Sequence, residues 1–130
     1  MTTKQHPNGV QTRPATREDQ PRVFALIEQL TGESPNSSWV EVYNSHLRRE
    51  RGAVIIAEND QEILGVATVS YNLTVRFGGE YCELEELIVD ESARGLNLGR
   101  ILVQNASIGK FIFIYRWHYG FQLQMSFTGR

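Results

Sequence analysis

The sequence lacks the features that define several classes of protein. Its 130 residues contain one cysteine, Cys82, so no disulfide can form within the chain. A reducing, cytoplasmic setting is therefore the expected location. No apolar run approaches the ~20 residues that cross a bilayer, and the polar segment 1–10 has no apolar region typical of a signal peptide. We therefore expect no association with a membrane.

An excess of charge of either sign is also lacking. Thirteen lysines and arginines oppose fifteen aspartates and glutamates, for a formal net charge of −2. This balance predicts no affinity for nucleic acid, and the three histidines are too scattered to suggest a metal site. The length suits a single domain. We expect residues 1–9 to be a disordered tail and 10–130 to form the domain.

Helical and strand patterns follow one another along the chain. The predicted elements are a strand at 10–15, a helix from Thr16 to Gly32, a helix at 38–51, and strands at 53–58, 63–71 and 80–89. Thr16 can cap the first helix, with Asp19 at the reciprocal position. Gly65 can mark a bulge or a bend in its strand. Antiparallel strands combined with a later strand-turn-helix predict an α/β fold.

The stretch from Leu84 to Val103 has the order strand, glycine turn, helix. The turn, Arg94–Gly99, carries two glycines, and the helical pattern begins at Arg100. The first amides of a helix lack intrahelical partners, so a phosphate can bind there where glycines leave the backbone accessible. Neither the dinucleotide fingerprint nor the P-loop fits this sequence. The alternative is an ordinary connection whose glycines only make the turn.

Arg94–Gly99, directly after a strand, resembles the pyrophosphate-binding loop of the GNAT family of N-acetyltransferases. The resemblance covers about residues 13–110. Asn97 stands where the family has its central glycine; asparagine tolerates positive φ, so we expect the turn to persist, with weaker cofactor binding. The resemblance implies a mixed, mostly antiparallel sheet flanked by helices. It also implies direct transfer of an acetyl group from acetyl-CoA to a primary amine of a small molecule or a protein.

The resemblance further implies roles for particular residues. A carboxylate, Glu85 or Glu86, would accept the proton of the ammonium group. Adjacent strand residues face opposite sides, so we expect Glu85 to lie with Leu87, and Glu86 with Leu84 and Ile88. An exposed acidic edge is the alternative. The residues implied for acetyl-CoA binding are Leu87, Ile88, Val89, Arg94, Gly95, Leu96, Asn97, Leu98, Gly99 and Arg100.

Three residues of the second helix, Trp39, Tyr43 and His46, are implied as contacts of the acceptor. The alternative places the two aromatic residues in the core and His46 on the surface. The family uses a tyrosine on a fourth helix as the acid for the leaving thiolate. Tyr115 and Tyr119 are substitutes by position only. The alternative is that both belong to the aromatic face of the C-terminal strand.

The C-terminal residues depart from the family pattern. Apolar or aromatic residues occupy every odd position from Phe111 to Phe127, which predicts strand with a break near Gly120. About 20 residues are too few for the strand, helix and two strands of the family, so we expect shortened or altered C-terminal strands. A noncatalytic acetyl-CoA-binding module is the alternative function. Its aromatic edge strand can pair with a second copy, and we expect a homodimer.

Overall fold

The computed structural model describes residues 3–76, 78–106, 111–117 and 121–127. Ten helices and strands are numbered here in chain order, and three short 3-10 helices, Pro7–Gly9, Arg17–Asp19 and Glu91–Ala93, lie between them. They are β1 (Lys4–Gln5), β2 (Gln11–Pro14), α1 (Gln20–Thr31), α2 (Ser37–Leu47), β3 (Gly52–Glu58), β4 (Ile63–Thr74), β5 (Gly79–Val89), α3 (Leu98–Ala106), β6 (Phe111–Trp117) and β7 (Phe121–Phe127).

The strands form one sheet in the order β1-β2-β3-β4-β5-β7-β6. Every neighbouring pair is antiparallel. The predicted α/β fold with flanking helices is confirmed. The C-terminal segment forms two strands on either side of Gly120, as its alternating pattern predicts, while residues 118–120 themselves lie outside the described part. Among the described residues, no helix is long and apolar enough to span a membrane.

The two faces of the sheet carry separate cores. One face, which we call the α3 face, packs Val69 and Leu84 against α3. The other, the α1–α2 face, packs Val66 against α1 and α2. The adjacent residues Ile55 and Ile56 of β3 are 1% and 0% exposed and belong to opposite cores. Burial on both faces explains why β3 is a continuous apolar run.

The chain start is more regular than the expected disordered tail. β1 pairs with β2, with Lys4 opposite Thr12 and Gln5 opposite Gln11. The amide of His6 donates to the carbonyl of Val10 at 2.8 Å. The edge of β2 offers backbone groups that need partners, and the polar start of the chain supplies them.

An arginine joins the first strand to the start of α1. Arg13 binds both oxygens of Asp19, at 2.8 and 3.1 Å, and both oxygens of Glu58, at 2.7 and 3.1 Å. Asp19 also closes the predicted capping box with Thr16. The Arg13 guanidinium lowers the pKa of Asp19, although burial of that carboxyl group opposes the change. The same guanidinium lowers the pKa of Glu58. This network fixes α1 on the sheet.

Replacing Arg13 tests this network. Arg13→Met leaves two partly buried carboxylates without their cation, so we expect a loss of about 3 kcal/mol in the free energy of unfolding, measured with urea at pH 7. Because the pKa values of Asp19 and Glu58 are lowered, the loss should shrink as pH falls below ~4. The control Arg48→Met, in an exposed pair with Glu50, should change stability by less than ~0.5 kcal/mol. Equal effects of the two substitutions would contradict the assigned role.

Candidate active site on strand β5

A register shift interrupts the pairing of β4 with β5. Thr68 pairs with Glu86, but the next residue, Val69, pairs with Leu84. Glu85 is therefore the extra residue of a β-bulge. A bulge bends its strand and changes the direction of the side chains beside it. A second shift leaves Leu64 of β4 unpaired, because Ala57 pairs with Gly65 and Glu58 with Ile63. It lies one residue from Gly65, where the sequence predicts a bulge or a bend.

The bulge places two carboxylates on one face of the sheet. The Ser70 hydroxyl donates to Oε1 of Glu85 at 2.9 Å. The Thr68 hydroxyl donates to Oε1 of Glu86 and accepts from the Glu86 amide at 3.1 Å. Thr68 and Ser70 are alternate residues of β4 and so share a face. The expectation that Glu85 and Glu86 face opposite sides is wrong, because it assumes an uninterrupted strand.

The apolar residues of β5 show the same change in which face of the sheet alternate residues take. Leu84 and Leu87 both pack into the core on the α3 face, although three positions separate them. Ile88 packs on the α1–α2 face. The expected grouping of Glu86 with Leu84 and of Glu85 with Leu87 is therefore also wrong. Both carboxylates lie on the α1–α2 face, opposite the two leucines.

Both carboxyl groups hold their protons more tightly than an ordinary glutamate. Partial burial and the neighbouring Glu83 carboxylate together raise the pKa of Glu85 to about 7, and burial has the larger effect. Burial raises the pKa of Glu86, and the Thr68 hydrogen bond only partly offsets the rise. A carboxylate with a pKa near neutrality can accept and release a proton under ordinary conditions.

A cleft of about 270 Å³ opens above Glu86, between the sheet and the helices α1 and α2. Thr68 lies beside Glu86 at its base, and the three residues implied as acceptor contacts, Trp39, Tyr43 and His46, all line it. Tyr43 is also part of the core, whereas His46 is half-buried rather than on the surface. The apolar lining consists of Val23, Phe24, Ile27, Trp39, Val42, Tyr43 and Val54.

One edge of β5 has no strand partner beyond the bulge. β7 pairs with β5 only from Tyr81 to Leu84, and within the described ranges no other strand pairs with that edge from Glu85 to Val89. Alternate residues of a strand direct their N–H and C=O groups toward the same neighbour. The edge that follows Leu84 can therefore form hydrogen bonds with an extended ligand.

This edge leads into the glycine turn. Gly95 has φ +95° and Asn97 has φ +62°, so the prediction that Asn97 keeps the turn at positive φ is confirmed. α3 begins at Leu98, two residues earlier than the sequence predicts. The amide of Ile101 donates to the carbonyl of Asn97 at 3.2 Å, which forms the first helical turn.

Several amides of this turn have no acceptor within the described part of the chain. They are those of Gly95, Asn97, Leu98, Gly99 and Arg100. Arg94 and Arg100 are exposed beside them. A Cβ added at Gly99 would meet only the Leu87 side chain, at 3.8 Å, so packing does not require a glycine there. The helix N-terminus, its amides and its two cations fit a diphosphate.

Tyr115 lies in β6, paired with Leu123, and β7 separates that strand from β5. Its side chain lies outside the described part of the structure, so its role as an acid remains a prediction. Among the residues that are described, no group of three or more His, Cys, Asp or Glu could hold a metal ion.

Comparison with known proteins identifies the class. The profile of the acetyltransferase (GNAT) family matches residues 17–107. The chain belongs to this family. The match includes the bulge at Glu85, the cleft and the turn at 94–99. No curated protein sequence matches the chain.

Solved structures share the fold. A transcriptional regulator from Bacillus halodurans has a TM-score of 0.66 at 23% identity, covering 75% of this chain and 71% of that chain. A glucosamine-6-phosphate N-acetyltransferase from Arabidopsis thaliana has a TM-score of 0.62 at 20% identity, covering 75% and 71%. An aminoglycoside acetyltransferase from an uncultured soil metagenomic sample has a TM-score of 0.61 at 17% identity, covering 76% and 68%. At these identities the likeness shows the fold alone.

The raised pKa of Glu86 predicts that this residue destabilises the fold at high pH. Above the ordinary glutamate pKa of ~4.3, the folded chain holds this proton more tightly than the unfolded chain, so stability falls as pH rises. We expect Glu86→Gln to raise Tm at pH 8 by roughly 4 °C, the shift that ~1 kcal/mol produces at this size, and to have little effect at pH 4. The exposed Glu41→Gln is the control. A lower Tm for Glu86→Gln at pH 8 would contradict this role.

Proposed function

We propose that the protein transfers an acetyl group from acetyl-CoA to a primary amine. The observation that carries the proposal is the arrangement along β5. Its unpartnered edge and the following turn fit an extended diphosphate ligand. The carboxylates of Glu85 and Glu86 lie on the α1–α2 face of the same strand, where Glu86 lines the cleft and Glu85 is exposed beside it. A strand edge borders both faces of its sheet. A thioester lying along this edge can thus be reached by an amine in the cleft.

The first task of the chain is to hold the donor. The amides of Gly95 and of Asn97 to Arg100 bind the diphosphate, and the side chains of Arg94 and Arg100 add positive charge. The backbone from Leu87 to Val89 aligns the arm that carries the thioester. The acetyl thioester supplies the group to be transferred. An amide near Leu87 or Ile88 can stabilise the negative charge that develops on its carbonyl oxygen.

The second task is to prepare the acceptor. An ammonium group has no lone pair, so it must lose a proton before its nitrogen can attack. The carboxylate of Glu85 or Glu86 accepts this proton, directly or through water. A bond then forms between nitrogen and the carbonyl carbon, the carbon–sulfur bond breaks, the nitrogen loses a second proton, and the thiolate takes up a proton. Tyr115 remains the proposed acid for this last step.

Replacing Gly99, where packing does not require a glycine, tests the donor site. Gly99→Ala should leave the Tm of the protein alone unchanged or raise it slightly, because alanine is the better helix former by ~1 kcal/mol. The added methyl group lies where a phosphate approaches, so we expect a reduced rise of Tm with acetyl-CoA. Saturation of the unsubstituted chain at ~100 Kd should add about 2.7 kcal/mol.

The control is Gly79→Ala, which adds a methyl group in open space on the β4–β5 hairpin. It should keep the full rise with acetyl-CoA. If Gly99→Ala also keeps that rise, the glycines only make the turn, and the proposed donor site is wrong.

The pH dependence of kcat tests the base. A base with the raised pKa of Glu85, about 7, predicts a kcat that rises with pH and levels off above ~7. Glu85→Gln and Glu86→Gln serve as each other's control. The substitution that removes the base should lower kcat by roughly 10²- to 10⁴-fold and abolish the rise near pH 7. If both variants kept the kcat of the unsubstituted chain and its rise near pH 7, neither residue would be the base.

The alternative is a noncatalytic acetyl-CoA-binding module that self-associates through its C-terminal strand. The position of β6 at the sheet edge favours it, since an edge strand can pair with a second copy. Binding of acetyl-CoA without release of thiol in the presence of amines would support this alternative.

A further inference from the structure

We propose that the acceptor is a primary amine carried on a compact apolar or aromatic arm, bound in the cleft between α1, α2 and the sheet. This inference rests on the proposed acetyl transfer and names the kind of amine. It depends on the surfaces that line the cleft, on the charges that line it, and on its size.

The walls of the cleft are aromatic and held in place. The ring of Phe24 meets those of Trp39 and Tyr43 edge to face, with centroids 5.4 and 5.5 Å apart. The Tyr43 hydroxyl donates to the carbonyl of Thr16 at 2.6 Å, so its polar end is already satisfied. Phe24 and Tyr43 are buried and hold Trp39 in place, and the partly exposed ring of Trp39 presents apolar surface to a ligand. An aromatic or branched aliphatic arm can pack against it, as aromatic rings prefer.

One wall residue is an apolar side chain that the fold leaves open. Val42 of α2 is 55% exposed and lines the cleft. A ligand arm that covered Val42 would remove its apolar surface from water, which favours binding by roughly 25 cal/mol per Å². A heavily hydroxylated ligand would gain nothing from this surface.

Two carboxylates line the cleft, Glu33 just after α1 and Glu86 at the base. Glu86 lies there with Thr68, and the carboxylate can bind an ammonium group while the arm extends along the aromatic wall. This geometry places the amine at the carboxylate proposed as a base.

The cleft has no cation to bind a phosphate. Neither lysine nor arginine is among the described residues that line it. Burial lowers the pKa of His46, so this ring is neutral near pH 7. Its Nδ1 is buried and has no hydrogen-bond partner in the described part of the structure. Gly52 makes room for the ring, since a Cβ there would lie 2.6 Å from Cε1 of His46. An amine that carries a phosphate would find carboxylates here instead of cations.

The size of the cleft favours a small arm. A volume of about 270 Å³ lies at the lower end of the ~300–1,000 Å³ that is typical of ligand pockets. This space can hold one ring and a short aminoalkyl chain. An amine built from several sugar rings would extend mostly outside the cleft and away from its aromatic wall.

The experiment compares three amines with the purified full chain and acetyl-CoA, measured by release of thiol. The probes are 2-phenylethylamine, glucosamine 6-phosphate and spermidine. We expect kcat/KM for 2-phenylethylamine to exceed that for each of the other two by at least tenfold. If glucosamine 6-phosphate or spermidine is acetylated as well or better, the inference is overturned while acetyl transfer itself stands.

Two matched variants test the assignment to this cleft. Val42→Lys places a cation on the wall and should lower kcat/KM for 2-phenylethylamine at least tenfold, while improving use of glucosamine 6-phosphate. Leu30→Lys makes the same change at a residue that is 51% exposed and outside the lining, and it should alter neither value. Equal effects of the two substitutions would place the acceptor elsewhere.

Calorimetric titration separates this inference from the proposed function. One outcome is that no amine is acetylated but 2-phenylethylamine binds, with a binding that Val42→Lys weakens and Leu30→Lys does not. The cleft assignment would then stand, and the proposed acetyl transfer would be wrong. If 2-phenylethylamine neither reacts nor binds, the assignment of an apolar amine to the cleft is overturned.

Discussion

The arrangement of the site depends on a single extra residue in β5. Regular pairing of β4 with β5 would send adjacent side chains to opposite faces, and the two glutamates would be separated by the sheet. The bulge at Glu85 instead turns both carboxylates toward the face that bears Thr68 and Ser70. Pairing with β7 ends at Leu84, the residue just before the bulge. One irregularity thus coincides with the acidic pair and with the unpartnered strand edge.

This constraint links the two halves of the proposed site through one strand. On the α3 face, Leu87 and Val89 anchor the end of β5 against the helix whose N-terminus follows the glycine turn. On the other face, Glu86 forms the base of a cleft walled by α1 and α2. Helix α1 is held to β2 and β3 by Arg13. The donor and acceptor sites are consequently fixed to the same sheet, which favours a constant distance between the reacting groups.

The sequence predicts the elements better than it predicts their irregularities. The cap at Thr16 and the positive φ at Asn97 depend on local chemistry, and both could be predicted from it. The bulge at Glu85 could not be predicted, because three apolar residues follow the glutamates and conceal which face each one takes. The residues that pack on the α3 face change from even positions, Cys82 and Leu84, to odd positions, Leu87 and Val89, and only the structure shows which face each one takes. The insertion of β7 between β5 and β6 depends on long-range pairing that no local pattern specifies.

The most direct test is a crystal structure of the chain with coenzyme A and a bound amine. The account predicts the diphosphate on the amides of Gly95 and of Asn97 to Arg100. It also predicts the amine nitrogen within ~3 Å of a Glu85 or Glu86 carboxylate oxygen, or one water away, with both side chains on the α1–α2 face. A regular β5 with the two glutamates on opposite faces, or an amine bound away from both carboxylates, would contradict it.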